Sequence, residues 1–200
     1  KMNSLNPDII LLAGDIVDDK AKVLDERGIG ESFRKLNPKY GVYSINGNHE
    51  FINEVESCVS YAEKFGIKFL RDGYELIDSS FYVIGREDSS MPQFTGKQRM
   101  SLEEIVKDIP ANYPKILLDH TPFKLEQAQQ NKIDLQLSGH THHGQIWPAN
   151  LITKMVYEVS WGYKKKGNTH YYVTSGAGTW GPPVRTGSSS EIVNIKVKFE

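Results

Sequence analysis

Short apolar runs that end in glycine and polar residues are the feature that most constrains the fold of this sequence. They are "DIILLAG" at 8–14, "YGVYSINGN" at 40–48, "KILLDH" at 115–120 and "DLQLSGH" at 134–140. Apolar runs of this length, bounded by turn residues, are typical of strands that are buried on both faces. Amphipathic stretches separate the runs, so the pattern predicts one layered α/β domain over the whole chain.

The amphipathic stretches predict four helices. They lie at residues 19–36, 53–66, 101–109 and 123–132. The sequence "RGIG" interrupts the first of them, which predicts an irregular or broken helix. Ser101 is the expected N-cap of the third helix, and Glu104 would complete a capping box.

Further short strands are expected in the middle and at the end of the chain. Three runs at 67–70, 74–78 and 81–85 are interpreted as a meander. Residues 157–176 predict a hairpin with a Gly-Asn turn, and the alternating pattern of residues 191–200 predicts a half-buried strand.

Composition excludes some classes of function. With 24 basic and 25 acidic residues the formal net charge is −1, which gives neither a nucleic-acid-binding surface nor a polybasic membrane patch. The single cysteine, Cys58, cannot form an intrachain disulfide, and a buried structural thiol is the expected role. Within the given residues we expect neither a membrane span nor a signal peptide, since no apolar run is long enough to cross a membrane. Because the chain begins with Lys1, we expect a piece of a longer protein, either cytoplasmic or anchored to a membrane through an absent N-terminal segment.

Potential metal ligands follow four of the predicted strands. In an open α/β sheet, ligands bind in the crevice beyond the carboxyl ends of the strands, so these side chains are expected to meet. Oxygen ligands mixed with imidazoles suit divalent ions such as Mn, Fe, Zn or Ni. Glycine precedes three of the groups and permits a sharp turn and a close approach of the backbone. The residues are Asp15, Asn48 with His49, His120, and His140 with His142.

The ordered motifs "GD", "GNHE", "H" and "GHTH-x-GQ" resemble those of the calcineurin-like metallophosphoesterases, in their bacterial branch, over almost the whole chain. The resemblance implies a layered β-sandwich flanked by helices, with four layers in the order αββα, and a dinuclear metal centre. It makes Asp15 the bridging carboxylate, and it assigns Asn48, His120 and His140 to one ion and His142 to the other. His49 would contact the substrate phosphate and protonate the leaving oxygen.

One motif of the family does not occur. These enzymes normally begin with a strand that ends in Asp-x-His, and no such sequence precedes Asp15. We therefore expect a chain truncated at its N-terminus that binds one ion well and a second weakly, with poor activity. The absent strand would leave an unpaired edge on residues 8–13, which a partner chain could cover by strand exchange or dimerisation.

Several further residues lie near the motifs in the sequence. Arg185 and His143 are candidate substrate contacts, with a surface position as the alternative for each. Asp18 does not stand where it could replace the absent ligands, Glu50 is interpreted as a favourable charge at a helix start, and Asp119 as a carboxylate behind the ligands.

Three functions remain open from the sequence. The first is metal-dependent hydrolysis of a phosphomonoester or phosphodiester. The second is hydrolysis of the pyrophosphate in a nucleotide-linked lipid precursor, and the third is a metal-binding but inactive scaffold domain.

Overall fold

Two β-sheets form the centre of the structure, a computed structural model that describes residues 1–199. The smaller sheet is parallel, with strands in the order β1 (Ile10–Leu12), β2 (Val42–Ser44) and β3 (Ile67–Phe69). The larger sheet has six strands: β4 (Gly73–Ile77), β5 (Phe81–Gly85), β6 (Lys115–Leu118), β7 (Leu135–Ser138), β8 (Gly162–Lys166) and β9 (Thr169–Val173). Their order is β4-β5-β6-β7-β9-β8, and the four inner strands are parallel while the two edge strands are antiparallel to their neighbours.

The helices are short and connect the strands. They are α1 (Ala21–Glu26), α2 (Glu31–Arg34), α3 (Asn48–Ile52), α4 (Val55–Glu63), α5 (Met91–Thr95), α6 (Leu102–Val106), α7 (Glu126–Gln130) and α8 (Ala149–Val156). Two 3₁₀ turns lie at Asn3–Leu5 and His142–Gly144. Within residues 1–199, no helix has the length and apolar character needed to cross a membrane.

The buried residues divide the molecule into four layers. Tyr43 of the smaller sheet and Leu118 of the larger one belong to the cluster between the two sheets. Val59 of α4 packs on the outer face of the smaller sheet. Ile105 of α6 and Leu125 of α7 pack on the outer face of the larger sheet. Helices therefore flank two packed sheets in the order αββα, which confirms the predicted fold class.

Most of the predicted elements are present, with local differences. The first helical stretch is broken into α1 and α2, and the hairpin of β8 and β9 turns at Gly167 and Asn168. Ser101 caps α6 by accepting a hydrogen bond from the backbone N–H of Glu104. The carboxylate of Glu104 accepts from Lys107 instead of returning to the cap, so the reciprocal half of the predicted capping box is absent from this helix.

The predicted meander is wrong at its first strand. β3 pairs in parallel with β2, whereas β4 and β5 form an antiparallel pair in the other sheet. The chain therefore crosses between sheets in the short turn from Phe69 to Gly73. Apolar runs specify burial, but they do not specify which sheet a strand joins.

The predicted C-terminal strand is also wrong. Residues 191–199 form no strand, and residue 200 lies outside the described residues. These residues lie across a cavity from β1, which is an edge strand of its sheet. The alternating sequence is compatible with a strand, but pairing requires a neighbour within hydrogen-bonding distance.

Candidate metal centre

Four loops bring the predicted ligands to one place between the two sheets. Asp15 follows β1 and Asn48 follows β2, while His120 follows β6 and His140 follows β7. Ligand atoms of Asp15, His120 and His140 lie within 4.8 Å of one another. The Nδ1 of His140 lies 2.9 Å from Oδ1 of Asn48. The four residues that the sequence assigns to one ion are therefore neighbours in space.

Two glycines make this close packing possible. A β-carbon on Gly47 would lie 2.2 Å from Oδ1 of Asp15, which is shorter than any normal contact. A β-carbon on Gly14 would lie 2.7 Å from Nδ1 of His120, and Gly14 also has a φ of +83°. Side chains are excluded at both positions, as the sequence predicted from the glycines before the ligands.

The carboxylate of Glu50 ties the loop after β1 to the loop after β2. Its Oε2 accepts hydrogen bonds from the backbone N–H groups of Asp15 at 3.0 Å and Gly47 at 2.7 Å. Its Oε1 accepts from Ile16 at 2.8 Å and Val17 at 3.2 Å. Glu50 does lie in the first turn of α3, as the sequence predicted, but it is fully buried and orders the ligand loop as well. Glu50 is the third residue after the N-cap Gly47, and this capping-box spacing is the sequence pattern that indicates the contact with Gly47.

The hydrogen bonds of His120 suit a metal ligand. Its Nδ1 lies 2.6 Å from the carbonyl oxygen of Ala13, to which a protonated Nδ1 donates. In neutral imidazole the lone pair then lies on Nε2, which is buried and 2.9 Å from Oδ2 of Asp15 without hydrogen-bond geometry. Two electron-pair donors that face each other at this distance fit a shared cation.

The electrostatics of the cluster favour a carboxylate beside imidazole. Burial works against the charged form of Asp15, but His120 and the backbone N–H of His49 outweigh it and hold the pKa of Asp15 at about 2. Burial also opposes protonation of His120, yet the charge of Asp15 raises the pKa of His120 to about 9. Burial, followed by the charge of His120, lowers the pKa of His140 to about 4. A divalent cation would take the place of the proton that Asp15 stabilises on His120.

His49 lies next to the ligands and is contacted by Asp18. The backbone N–H of His49 donates to Oδ1 of Asp15 at 2.9 Å, and its Nδ1 contacts Oδ1 of Asp18. The sequence indicated only that Asp18 could not replace an absent ligand. Its contact with His49 depends on the loop between β1 and α1 folding back over α3, for which the sequence carries no clear signal.

His142 lies near the cluster, and its ring contacts Arg185. His140 and His142 have φ values of +66° and +46°, so the chain leaves the extended conformation after Ser138. The Nδ1 of His142 lies 3.4 Å from Nη2 of Arg185. Burial and then the charge of Arg185 lower the pKa of His142, which keeps its imidazole neutral.

The guanidinium of Arg185 is held by protein groups. Its Nη2 donates to the carbonyl oxygen of Ser175 at 2.8 Å and to that of Gly178, and its Nη1 donates to Oγ of Ser188 at 2.9 Å. His143, the other candidate substrate contact, lies beside Trp161, with ring centroids 4.9 Å apart. Both residues border the site, and neither is among the clustered ligands.

Two further carboxylates lie behind the ligands. Asp88, which the sequence analysis did not single out, accepts a hydrogen bond from Thr121 Oγ1 at 2.8 Å, and its charge helps to raise the pKa of His120. Asp119 is buried between Arg86, at 3.3 Å, and Arg99, at 3.0 Å. Asp119 thus holds the strand end that carries His120, in keeping with its predicted place behind the ligands.

A long apolar cavity leads away from the site along β1. Its volume is about 1030 Å³, and it reaches from Asp15 and His142 to the C-terminal residues. Leu11 of β1, Leu137 of β7 and Ile192 contribute to its walls. The cavity separates the free edge of β1 from residues 191–199.

Comparison with known proteins agrees with this fold. A family model described as calcineurin-like phosphoesterase matches residues 1–144. A zebrafish (Danio rerio) protein named "Transmembrane protein with metallophosphoesterase domain" is 32% identical over 98% of this chain and 47% of its own length. An "Uncharacterized metallophosphoesterase" of Helicobacter pylori strain J99 is 29% identical over 98% of this chain and 53% of its own length.

A further relative is matched over more of its length. An "Uncharacterized metallophosphoesterase" of Aquifex aeolicus is 30% identical over 96% of this chain and 73% of its own length. The chain spans about half the length of the zebrafish and Helicobacter relatives. From the family match and these identities, the chain belongs to the calcineurin-like phosphoesterase family.

Proposed function

We propose that this chain is the catalytic domain of a metal-dependent hydrolase that acts on a phosphomonoester or phosphodiester. The observation that carries the proposal is the convergence of Asp15, Asn48, His120 and His140 from four strand ends. The family match supports the same class of reaction.

The four clustered residues would hold one divalent ion, and Asp15 would share a second ion with His142. When bound, such ions act as Lewis acids on the phosphoryl group and activate the attacking water. Imidazole, carboxylate and amide ligands fit Mn, Fe, Zn or Ni. We propose that one ion binds tightly and the second weakly, because the guanidinium of Arg185 lies beside His142 and repels a cation there.

His49 is the proposed proton donor to the leaving oxygen. Its contact with Asp18 engages Nδ1, which leaves Nε2 as the nitrogen that can meet a substrate. Asp18 would orient the ring, while the backbone N–H of His49 holds Asp15 in place. The same residue would then connect the metal ligand to the proton transfer.

Hydrolysis of bis(p-nitrophenyl) phosphate and p-nitrophenyl phosphate, with and without added Mn²⁺, tests the proposal. The chain is expected to hydrolyse at least one of the two esters when Mn²⁺ is present and neither ester when it is absent. Asp15→Ala is expected to lower kcat/KM at least about a hundredfold, because a metal ligand is removed. Asp25→Ala, which alters a carboxylate of α1 away from the clustered ligands, is the matched control and should keep full activity.

The same assay separates the alternatives. Metal binding by calorimetry without turnover of either ester would contradict the proposal and favour an inactive scaffold domain. Turnover confined to a nucleoside diphosphate linked to a lipid would favour pyrophosphate hydrolysis instead. Undiminished turnover by Asp15→Ala would exclude the metal site described here.

We also propose that the free edge of β1 accepts an extended strand from a second copy of the chain. β1 is an edge strand in the described structure, and the apolar cavity beside it is large enough for several side chains. Light scattering after gel filtration is expected to give a dimer mass that increases with concentration. A monomer mass at all concentrations would contradict this pairing.

A position beside a membrane is the proposed place of action. The name of the zebrafish relative, a transmembrane protein with this domain, supports it. When cells that express the full-length protein are fractionated, the protein is expected in the membrane pellet. Recovery in the supernatant alone would contradict it.

A further inference from the structure

Helix α8 turns its apolar side to solvent. Leu151, Ile152, Met155 and Val156 are each more than half exposed, and Met155 is 78% exposed. At 100° per residue these four side chains form one continuous stripe. The partly covered residues of the helix, which face the protein, include the polar Asn150. A helix that gains stability from packing has the opposite arrangement, so the apolar stripe is not explained by the fold.

Three tryptophans extend this apolar surface around the loop that carries the histidines. Trp147, Trp161 and Trp180 are each half or more exposed. Trp161 packs on His143, and the backbone N–H of Trp180 donates to Oε1 of Gln145 at 2.7 Å. We call the combined surface the apolar ledge; it consists of Trp147, Leu151, Ile152, Met155, Val156, Trp161 and Trp180.

Two lysines border the apolar ledge without a carboxylate partner among residues 1–199. Lys154 lies on α8 itself. Lys165 is an exposed residue of β8, the strand that begins directly after Trp161. The neighbouring lysines Lys164 and Lys166 share the single carboxylate of Glu158, which offsets only one of their two charges. Glu191, whose Oε1 accepts a hydrogen bond from the indole N–H of Trp161, is a carboxylate on the same surface. The four lysines and the two carboxylates together leave a net positive charge beside the apolar residues.

We propose that the apolar ledge is a docking surface for a lipid bilayer that contains anionic headgroups. Exposed apolar side chains on one face, with lysine at the rim, are the chemistry of interfacial membrane binding. Indole rings favour the boundary between headgroups and acyl chains, since they are apolar with one polar N–H. This docking surface deepens the proposed position beside a membrane and does not depend on the proposed phosphoester hydrolysis.

A second copy of this chain is a poorer occupant of the same surface. Two copies related by a twofold axis would apply the same patch to each other. Two net positive surfaces would then face each other, because Glu158 and Glu191 offset only part of the lysine charge on each copy. An anionic bilayer satisfies the apolar stripe and both lysines together.

Docking in this way would direct the metal centre toward the membrane surface. His142 and His143 lie in the 3₁₀ turn directly before Trp147 and α8. The opening of the site therefore borders the apolar ledge, and a phosphate group at the headgroup level would be the nearest ligand.

Co-sedimentation of the full chain with phosphatidylcholine vesicles, with and without phosphatidylglycerol, tests the proposal. Binding is expected to vesicles that contain phosphatidylglycerol and to weaken in high salt. Leu151→Gln combined with Met155→Gln is expected to reduce partitioning at least about tenfold, since two apolar side chains lose their insertion. Lys154→Glu combined with Lys165→Glu is expected to abolish the preference for anionic vesicles.

A matched control uses an exposed apolar residue elsewhere. Leu76 is 40% exposed on β4, at the opposite edge of the larger sheet from β8, and Leu76→Gln should bind vesicles like the unaltered chain. Circular dichroism melting of every variant checks that each is folded. Equal partitioning of the α8 variant and the unaltered chain would overturn the proposal. The absence of vesicle binding would overturn the proposal as well. A dimer that the α8 substitutions convert to monomer, without vesicle binding, would assign the surface to a second copy instead.

Discussion

The ligand loops and the region after His142 differ in how fully their residues are in contact with the rest of the protein. Around Asp15 and Gly47, backbone N–H groups, carboxylates and glycines fit so closely that an added methyl group would collide. After His142, a helix exposes its apolar side and residues 191–199 lie beside a cavity. The first region is complete in its contacts and needs only a cation, whereas the second presents surfaces that need another molecule. Stability is therefore expected to depend on the first region and association on the second.

The largest effect is expected for Glu50→Gln, which alters the carboxylate that holds the ligand loops together. An amide nitrogen would face two of the four backbone N–H groups that the carboxylate now accepts, so the free energy of unfolding should fall by about 3–5 kcal/mol. Urea unfolding monitored by circular dichroism measures it. Glu54→Gln, which alters an exposed carboxylate paired with Lys20, is the matched control and should change stability by less than about 0.5 kcal/mol. Equal values for the two variants would mean that the ligand loops are not held by Glu50.

Metal binding should stabilise the chain through the ligand loops alone. With Mn²⁺ at about a hundred times its Kd, the free energy of unfolding is expected to rise by about 2.7 kcal/mol. Thermal unfolding with Mn²⁺ and with EDTA measures the difference. His120→Ala should abolish it, whereas His170→Ala, which removes a histidine that contacts Tyr163 on the hairpin, should retain it. A metal effect that persists in His120→Ala would place the ion elsewhere.

Asp18→Asn is expected to lower kcat about tenfold while it leaves KM and the stabilisation by Mn²⁺ unchanged. The substitution keeps the size of the side chain but removes the charge that orients His49. Steady-state kinetics with the chromogenic ester, together with the melting assay, separate these quantities. Asp19→Asn alters the neighbouring carboxylate, which pairs with Arg27 on the surface, and should have no effect on kcat. A change in Mn²⁺ stabilisation would show that Asp18 acts on the ligands and not on His49.

The smallest effect is expected for Met155→Gln on α8. Because this side chain is 78% exposed, the free energy of unfolding should change by less than about 0.5 kcal/mol. Leu102→Gln on α6, where the leucine is 2% exposed, should cost several kcal/mol in the same urea assay. A large loss in Met155→Gln would mean that the apolar stripe packs within the protein.

The sequence pattern predicted a layered α/β domain and a common position for the ligands, and the family resemblance implied the order of the four layers. Apolar runs gave the buried strands, and polar residues at their ends marked the edge where ligands meet. Family resemblance then assigned Asp15, Asn48, His120 and His140 to one ion, and these residues do lie together. The glycines before Asp15 and Asn48 also have the expected reason, since their surroundings leave no room for a β-carbon.

The features that the sequence did not predict depend on distances through space. Asp18 meets His49, and Asp88 lies behind His120, only after separate loops have folded against each other. β3 pairs with β2, and the chain then crosses to the other sheet before β4, a choice that local hydrophobicity does not encode. The strand expected at 191–200 had the right alternation, but residues 191–199 lack a paired neighbour.

The buried position of Glu50 has a consequence for the lifetime of the protein. Burial and the nearby charge of Asp15 raise the pKa of Glu50, and no lysine or arginine pairs with it among residues 1–199. A divalent cation beside Asp15 relieves this repulsion, so metal occupancy and the folded fraction should rise together. Because cellular proteases remove unfolded chains, the supply of divalent metal would then govern how much of the protein accumulates, before any substrate is encountered.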